Sequence, residues 1–132
     1  MSKKITKQYD VSEIKNGYFM CWSVCTQCWN ACSVKLTDEN GKEYFSYAKP
    51  FERSGELKFL GQGYATCGGN QLKLTVTCDT DIDEIKQSIN SYNITDSNAA
   101  TIGHGYNFCI EDSTDEDYND VYIDLVAWKK KG

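Results

Sequence analysis

The segment Gln71-Leu72-Lys73-Leu74-Thr75-Val76-Thr77-Cys78 constrains this chain more than any other. Its side chains alternate between apolar and polar, and successive side chains of an extended strand point to opposite faces. Leu72, Leu74, Val76 and Cys78 therefore share one face that must be buried, whereas a helix would scatter them. The same signal recurs along the chain. Residues 33–37 and 42–47 flank Asp38-Glu39-Asn40-Gly41, where Asn40 and Gly41 both tolerate positive φ and predict a hairpin turn. Leu57-Lys58-Phe59-Leu60 is a further run, expected to break at Gly61-Gln62-Gly63. Residues 106–110 and 121–128 complete the pattern, and Pro50 falls in a turn-like stretch at 47–53. Six or more short strands punctuated by turns predict an all-β fold, an antiparallel β-sandwich of jelly-roll type.

Two stretches fit less simply. Cys21, Cys25, Cys28 and Cys32 have helical spacing, and Trp22 and Trp29 stand one heptad apart. The Trp, Val and Thr content favours a buried strand with a bulge. At 81–90 a short helix is expected, capped by Asp81, with Ile82, Ile85 and Ile89 on one face. Its N-terminus also accounts for Asp79, Asp81 and Asp83 without a bound cation.

A chain of 132 residues with 40% apolar content can build one core, so a single domain over 1–132 is expected. The formal net charge of -5 argues against a nucleic-acid partner, which would need clustered Lys and Arg. No apolar run near the start reads as a secretory signal, and none is long enough to span a membrane. Synthesis in the cytoplasm is the expectation, with any export by a non-classical route.

Seven cysteines in such a chain are read first as buried, reduced thiols. Disulfides and a metal cluster are the other readings. Cys21-x3-Cys25-x2-Cys28 matches the iron–sulfur spacing of radical enzymes, but those need a barrel of about 200 residues or more. A zinc ribbon lacks its second Cys pair. His104, within Gly103-His104-Gly105, reads as a residue of a flexible turn, and a single His supports no catalytic triad.

The segment Glu111-Asp112-Ser113-Thr114-Asp115-Glu116-Asp117-Tyr118-Asn119-Asp120 carries six carboxylates in ten residues and no base. Carboxylates this close repel one another unless something neutralises them. Hard oxygen donors suit Ca2+, which takes about 6–8 of them, and the segment holds no Cys or His for a softer metal. An EF-hand fails: Asp115, Asp117 and Asn119 fit its first ligands, but Asp120 stands where Gly is needed and Val126 where Glu is needed.

This segment closely resembles the calcium loop of the two-calcium, LecB-type bacterial lectins that bind fucose and mannose, which reads E-D-G-T-D-N-D-Y-N-D before a final strand. Here Ser113 and Glu116 replace Gly and Asn, and the match runs over about 22 residues to Gly132, through Trp128. The resemblance implies a calcium-dependent lectin, without catalysis, in which two Ca2+ ions coordinate sugar hydroxyls directly. By position, Glu111, Asp115, Asp117 and Asp120 would hold one ion. Asp117, Asn119 and Asp120 would hold the other, and Asp112 and Thr114 would touch the sugar. An early-strand amide completes the family's shell, with Gln27 and Asn30 as candidates. The family's terminal Gly carboxylate, here Gly132, reaches a neighbouring subunit and implies a homodimer. In this chain the C-terminal stretch is two residues longer and carries Lys129-Lys130-Lys131. The other reading is a non-catalytic carbohydrate-binding module with structural calcium and an aromatic face of Trp22, Trp29 and Tyr64. A glycosidase would need two separated carboxylates around a cleft, which this clustering does not offer.

The charge thus has an address. Glu111, Asp112, Asp115, Glu116, Asp117, Asp120 and Asp124 are seven of the 19 acids, and the 12 others face 14 bases.

Overall fold

The computed structural model describes residues 3–80, 84–112 and 120–130. Nine strands follow one another in this order: β1 (Lys3–Asp10), β2 (Phe19–Thr26), β3 (Cys32–Thr37), β4 (Glu43–Lys49), β5 (Lys58–Thr66), β6 (Lys73–Thr80), β7 (Lys86–Thr95), β8 (Thr101–Glu111) and β9 (Val121–Trp128). They form a four-stranded sheet, β1-β6-β3-β4, and a five-stranded sheet, β5-β2-β9-β8-β7. All pairings are antiparallel. The described residues contain no helix, hence none long and apolar enough to cross a membrane.

The period-two faces meet between the sheets. Leu74, Val76 and Cys78 of β6 and Val34 and Leu36 of β3 are buried, as are Met20 and Val24 of β2. Ile123 and Leu125 of β9 and Phe108 and Ile110 of β8 join them in one cluster. Each such side chain contributes about 1.5–3 kcal/mol by leaving water. The Cys/Trp-rich run is a strand, β2, with alternating burial and a bulge between Val24 and Cys25 against β5. Seven free thiols are present, of which Cys28, Cys32, Cys67 and Cys78 are buried.

The structure corrects three expectations. The segment at 81–90 is no helix over its described part: β7 begins at Lys86 and pairs with β8 along its length. Ile85 is buried but Ile89 is exposed, so they share no helical face. Asp81, Ile82 and Asp83 lie outside the described residues. Gly61 and Gly63 do not end the third run, because β5 continues to Thr66. A Cβ on Gly61 would lie 2.3 Å from the Tyr47 ring, and one on Gly63 would lie 2.9 Å from the Trp22 ring. These glycines admit aromatic rings against the strand rather than turning it. His104 lies within β8, not in a turn. It is buried, with Nε2 2.7 Å from Ser91 Oγ and Nδ1 3.0 Å from Asn93 Oδ1. The hairpin turn expected at Asn40-Gly41 is present and joins β3 to β4; Gly41 alone within it takes positive φ (+80°), with Asp38 N–H donating to Lys42 O across a three-residue loop.

Candidate metal and sugar site

One end of the sandwich gathers the ends of β2, β6 and β8 and the start of β9. Each inner face there finishes on a hydroxyl. Met20, Trp22 and Val24 lead to Thr26 on β2, and Leu74, Val76 and Cys78 lead to Thr80 on β6. Both threonines are buried. Thr26 Oγ1 donates to the Asp120 carbonyl and Thr80 Oγ1 donates to the Asp112 carbonyl. The two acids that bracket the loop are therefore anchored by their backbones to both sheets. Asp120 N–H also donates to Ile110 O (3.1 Å), continuing the β8–β9 ladder.

Here Glu111, Asp112 and Asp120 converge. One carboxylate oxygen from each lies within 4.8 Å of the others, and all three residues are buried. Asp112 N–H donates to Asp120 Oδ2 at 2.8 Å. None of the ion pairs among the described residues includes Asp112 or Asp120. Burial pushes Asp112 up to about 6, with the Cys28 and Glu111 charges adding to it. Burial also pushes Asp120 up to about 7, reinforced by its hydrogen bond to the Asp112 carboxyl and by that group's charge. Without a cation, the carboxyl groups accommodate one another by holding protons. A hard divalent cation fits the same donor set, since it needs oxygen ligands and supplies the charge that the protons otherwise supply.

Of the two amide candidates, Asn30 reaches this cluster: its Nδ2 donates to Asp112 Oδ2 at 3.3 Å. Gln27 instead accepts from the Tyr122 hydroxyl at 3.2 Å. The turn bearing Asn30 is pinned by buried Lys49, whose Nζ donates to Trp29 O (3.2 Å) and Asn30 O (2.9 Å). Cys28 lies below that turn, its Sγ 2.9 Å from Thr26 Oγ1. The Cys32 thiol hydrogen-bonds Cys28, which lowers Cys28 to about 7 and raises Cys32.

The structure thus joins Glu111 and Asp120, expected as ligands, with Asp112, expected at the sugar. Asp115, Asp117, Asn119, Thr114 and Gly132 lie outside the described residues. Asp124, counted with the acidic stretch, belongs to exposed β9 surface and accepts from Asn107 Nδ2 at 2.7 Å. Trp22 is buried and donates from Nε1 to Tyr47 OH (3.0 Å), so it cannot join Trp29 and Tyr64 on an exposed face. Thr26, Thr80 and Lys49 were not expected here. The sequence carries a signal for the two threonines, each occupying the last inward position of an otherwise apolar alternation.

The molecule is a two-sheet antiparallel sandwich with a buried carboxylate cluster where β8 ends and β9 begins. The sequence matches no protein-family model and no curated protein. Its fold is nonetheless that of solved bacterial lectins. The C-terminal domain of BC2L-C lectin from Burkholderia cenocepacia superposes with a TM-score of 0.64 at 15% identity, over 96% of this chain and 97% of that one. The Chromobacterium violaceum lectin CV2L, in complex with alpha-methyl-fucoside, gives 0.55 at 16% identity over 82% and 86%. The Ralstonia solanacearum high-affinity mannose-binding lectin gives 0.55 at 18% over the same shares.

Proposed function

We propose that this chain is a non-catalytic, calcium-dependent lectin for fucose- or mannose-type sugars. The observation that carries the reading is the buried cluster of Glu111, Asp112 and Asp120, held by both sheets at the mouth of the acidic loop. The neighbours in fold include a lectin in complex with alpha-methyl-fucoside and a mannose-binding lectin, which supports the sugar class. Glu111 and Asp120 would ligate Ca2+ together with Asp115, Asp117 and Asn119, and the loop's resemblance to that of the two-calcium lectins implies two ions. Bound calcium supplies a strong field that draws in neutral sugar hydroxyls. Asp112 and Thr114 accept or donate the hydroxyl hydrogen bonds that orient the sugar. Asn30 holds Asp112 in place, and Thr26 and Thr80 keep the two ends of the loop at fixed separation. The burial of Trp22 weighs against a glycan-binding face built from Trp22, Trp29 and Tyr64.

Asp117→Asn tests the loop directly. Isothermal titration is expected to show that calcium uptake and methyl-fucoside binding are lost together. Unchanged sugar binding in that variant contradicts the proposal, and turnover of a glycan by the wild type contradicts its non-catalytic part.

A further inference from the structure

A cleft of about 260 Å³ shares a turn with the carboxylate cluster. It is lined by Thr26, Cys28 and Lys49 and by residues of the β4–β5 connection. The Thr26 hydroxyl also holds the Asp120 carbonyl. Cys28 donates to Asn30 O (3.4 Å), and the Asn30 side chain holds Asp112. The same turn is tied to the β4–β5 connection, because Glu52 N–H donates to Trp29 O (2.9 Å) and Lys49 Nζ donates to both Trp29 O and Asn30 O. The residues that support the cluster are thus the residues that border the cleft.

The cleft offers donors and acceptors with no net charge. Lys49 and Lys58 stand against Glu52 and Glu56. Lys58 and Glu52 form an ion pair, and no ion pair among the described residues includes Lys49 or Glu56. The buried Lys49 ammonium has three N–H donors, of which the carbonyls of Trp29 and Asn30 take two. Glu56 presents carboxylate oxygens. Ser54 Oγ accepts from Glu56 N–H (3.3 Å) and keeps its own proton to donate. Leu57 is exposed and adds an apolar wall. An anionic ligand would meet two carboxylates here, and a cationic ligand two ammonium groups. A neutral ring with several hydroxyls uses both signs, because each hydroxyl donates and accepts, and its C–H face can lie on Leu57. The volume is just below the about 300–1,000 Å³ of cavities that enclose drug-sized ligands, which leaves room for one ring.

We infer that this cleft is a subsite for a second, uncharged sugar ring of a glycan whose first ring sits at the carboxylate cluster. The inference rests on the lectin function proposed above and names its ligand class: a neutral di- or oligosaccharide rather than a free monosaccharide. Lys49 donates to the second ring, Glu56 accepts from it, and neither contact involves a metal.

Calorimetric titration of the full chain in calcium tests this, with methyl-mannoside against a panel of mannobioses and methyl-fucoside against fucosyl disaccharides. At least one disaccharide is expected to bind on the order of tenfold more tightly than its methyl glycoside, the size of one or two ordinary hydrogen bonds. Glu56→Ala and Leu57→Ala are each expected to reduce that ratio, whereas Glu43→Ala, on the exposed surface of β4, keeps it. A disaccharide whose second ring carries a carboxylate or an ammonium group is expected to show no such gain. Disaccharides that all bind no better than the methyl glycosides overturn the subsite. A gain that survives in both Glu56→Ala and Leu57→Ala overturns its placement, and an equal gain for a charged second ring overturns the ligand class. Binding of neither ligand in calcium contradicts the lectin function and overturns the subsite with it. Disaccharide binding that persists in EDTA contradicts the calcium dependence alone, and its weakening in Glu56→Ala would still assign the cleft.

Discussion

Asp38 and Asp120 each expose 7% of their surface, yet their carboxyl groups are shifted in opposite directions. Asp38 sits at the far end of the sandwich, in the β3–β4 turn. Its carboxylate accepts from Tyr44 OH (2.7 Å), Asn40 N–H (2.9 Å) and Lys42 N–H (3.1 Å). The Tyr44 hydrogen bond, followed by the two backbone donors and the Lys42 charge, holds it below the usual carboxylate range. Asp120 receives one backbone donor but faces two other carboxyl groups, and burial drives it upward. A carboxylate that closes a turn is surrounded by donors. Asp120 is surrounded by further acceptors, an environment that a proton completes and that a metal would complete under the proposed function.

The largest expected effect is that Asp120→Asn loses calcium uptake in calorimetry, while Asp38→Asn keeps it. Asp38→Asn is expected to lower the midpoint of chemical denaturation, because hydrogen bonds to a charged acceptor are lost. Thr26→Val, which leaves the Asp120 carbonyl without its donor, is expected to cost about 1–2 kcal/mol and to weaken calcium binding as well. A loss of stability with unchanged calcium affinity would make Thr26 a packing residue only.

The smallest effect concerns pH, and its sign separates the two sites. Asp112 and Asp120 have raised folded values, so the folded chain holds more protons than the unfolded chain between about pH 4 and 7. Their contribution to stability in EDTA is present below that window and falls as the pH rises through it. Asp38 has a lowered value, so its contribution is present above the ordinary carboxylate range and falls as the medium is acidified through its folded value. In EDTA, Asp120→Asn is therefore expected to gain about 1 kcal/mol at pH 8, where the wild type buries a charge. Calcium added at pH 6 is expected to release protons, which a pH-stat would register; no release would mean the cluster is not the binding site.

Much of this architecture is legible in the residues themselves. The apolar face of β6 and the span of β9 follow from period-two alternation, and the acidic segment marks the candidate site without any fold. What stays hidden depends on contacts distant in sequence. Gly61 looks like a strand breaker until the Tyr47 ring is seen lying against it. The isoleucines at 82, 85 and 89 fit a helical period equally well, and only pairing with β8 makes β7 a strand. His104 reads as mobile between two glycines because nothing local reveals Ser91 and Asn93 across the ladder. Thr26 and Thr80 are ordinary strand residues until the loop ends reach them. Asn30 is separable from Gln27 only once β9 places Tyr122 beside Gln27.

Under the proposed function, the buried carboxylate cluster binds sugar through calcium. Calorimetric titration of the wild type with methyl-fucoside or methyl-mannoside, in calcium and again after EDTA, tests it most directly. A binding isotherm is expected in calcium and none in EDTA. Sugar binding that persists in EDTA would contradict it and move the sugar to a surface that needs no metal.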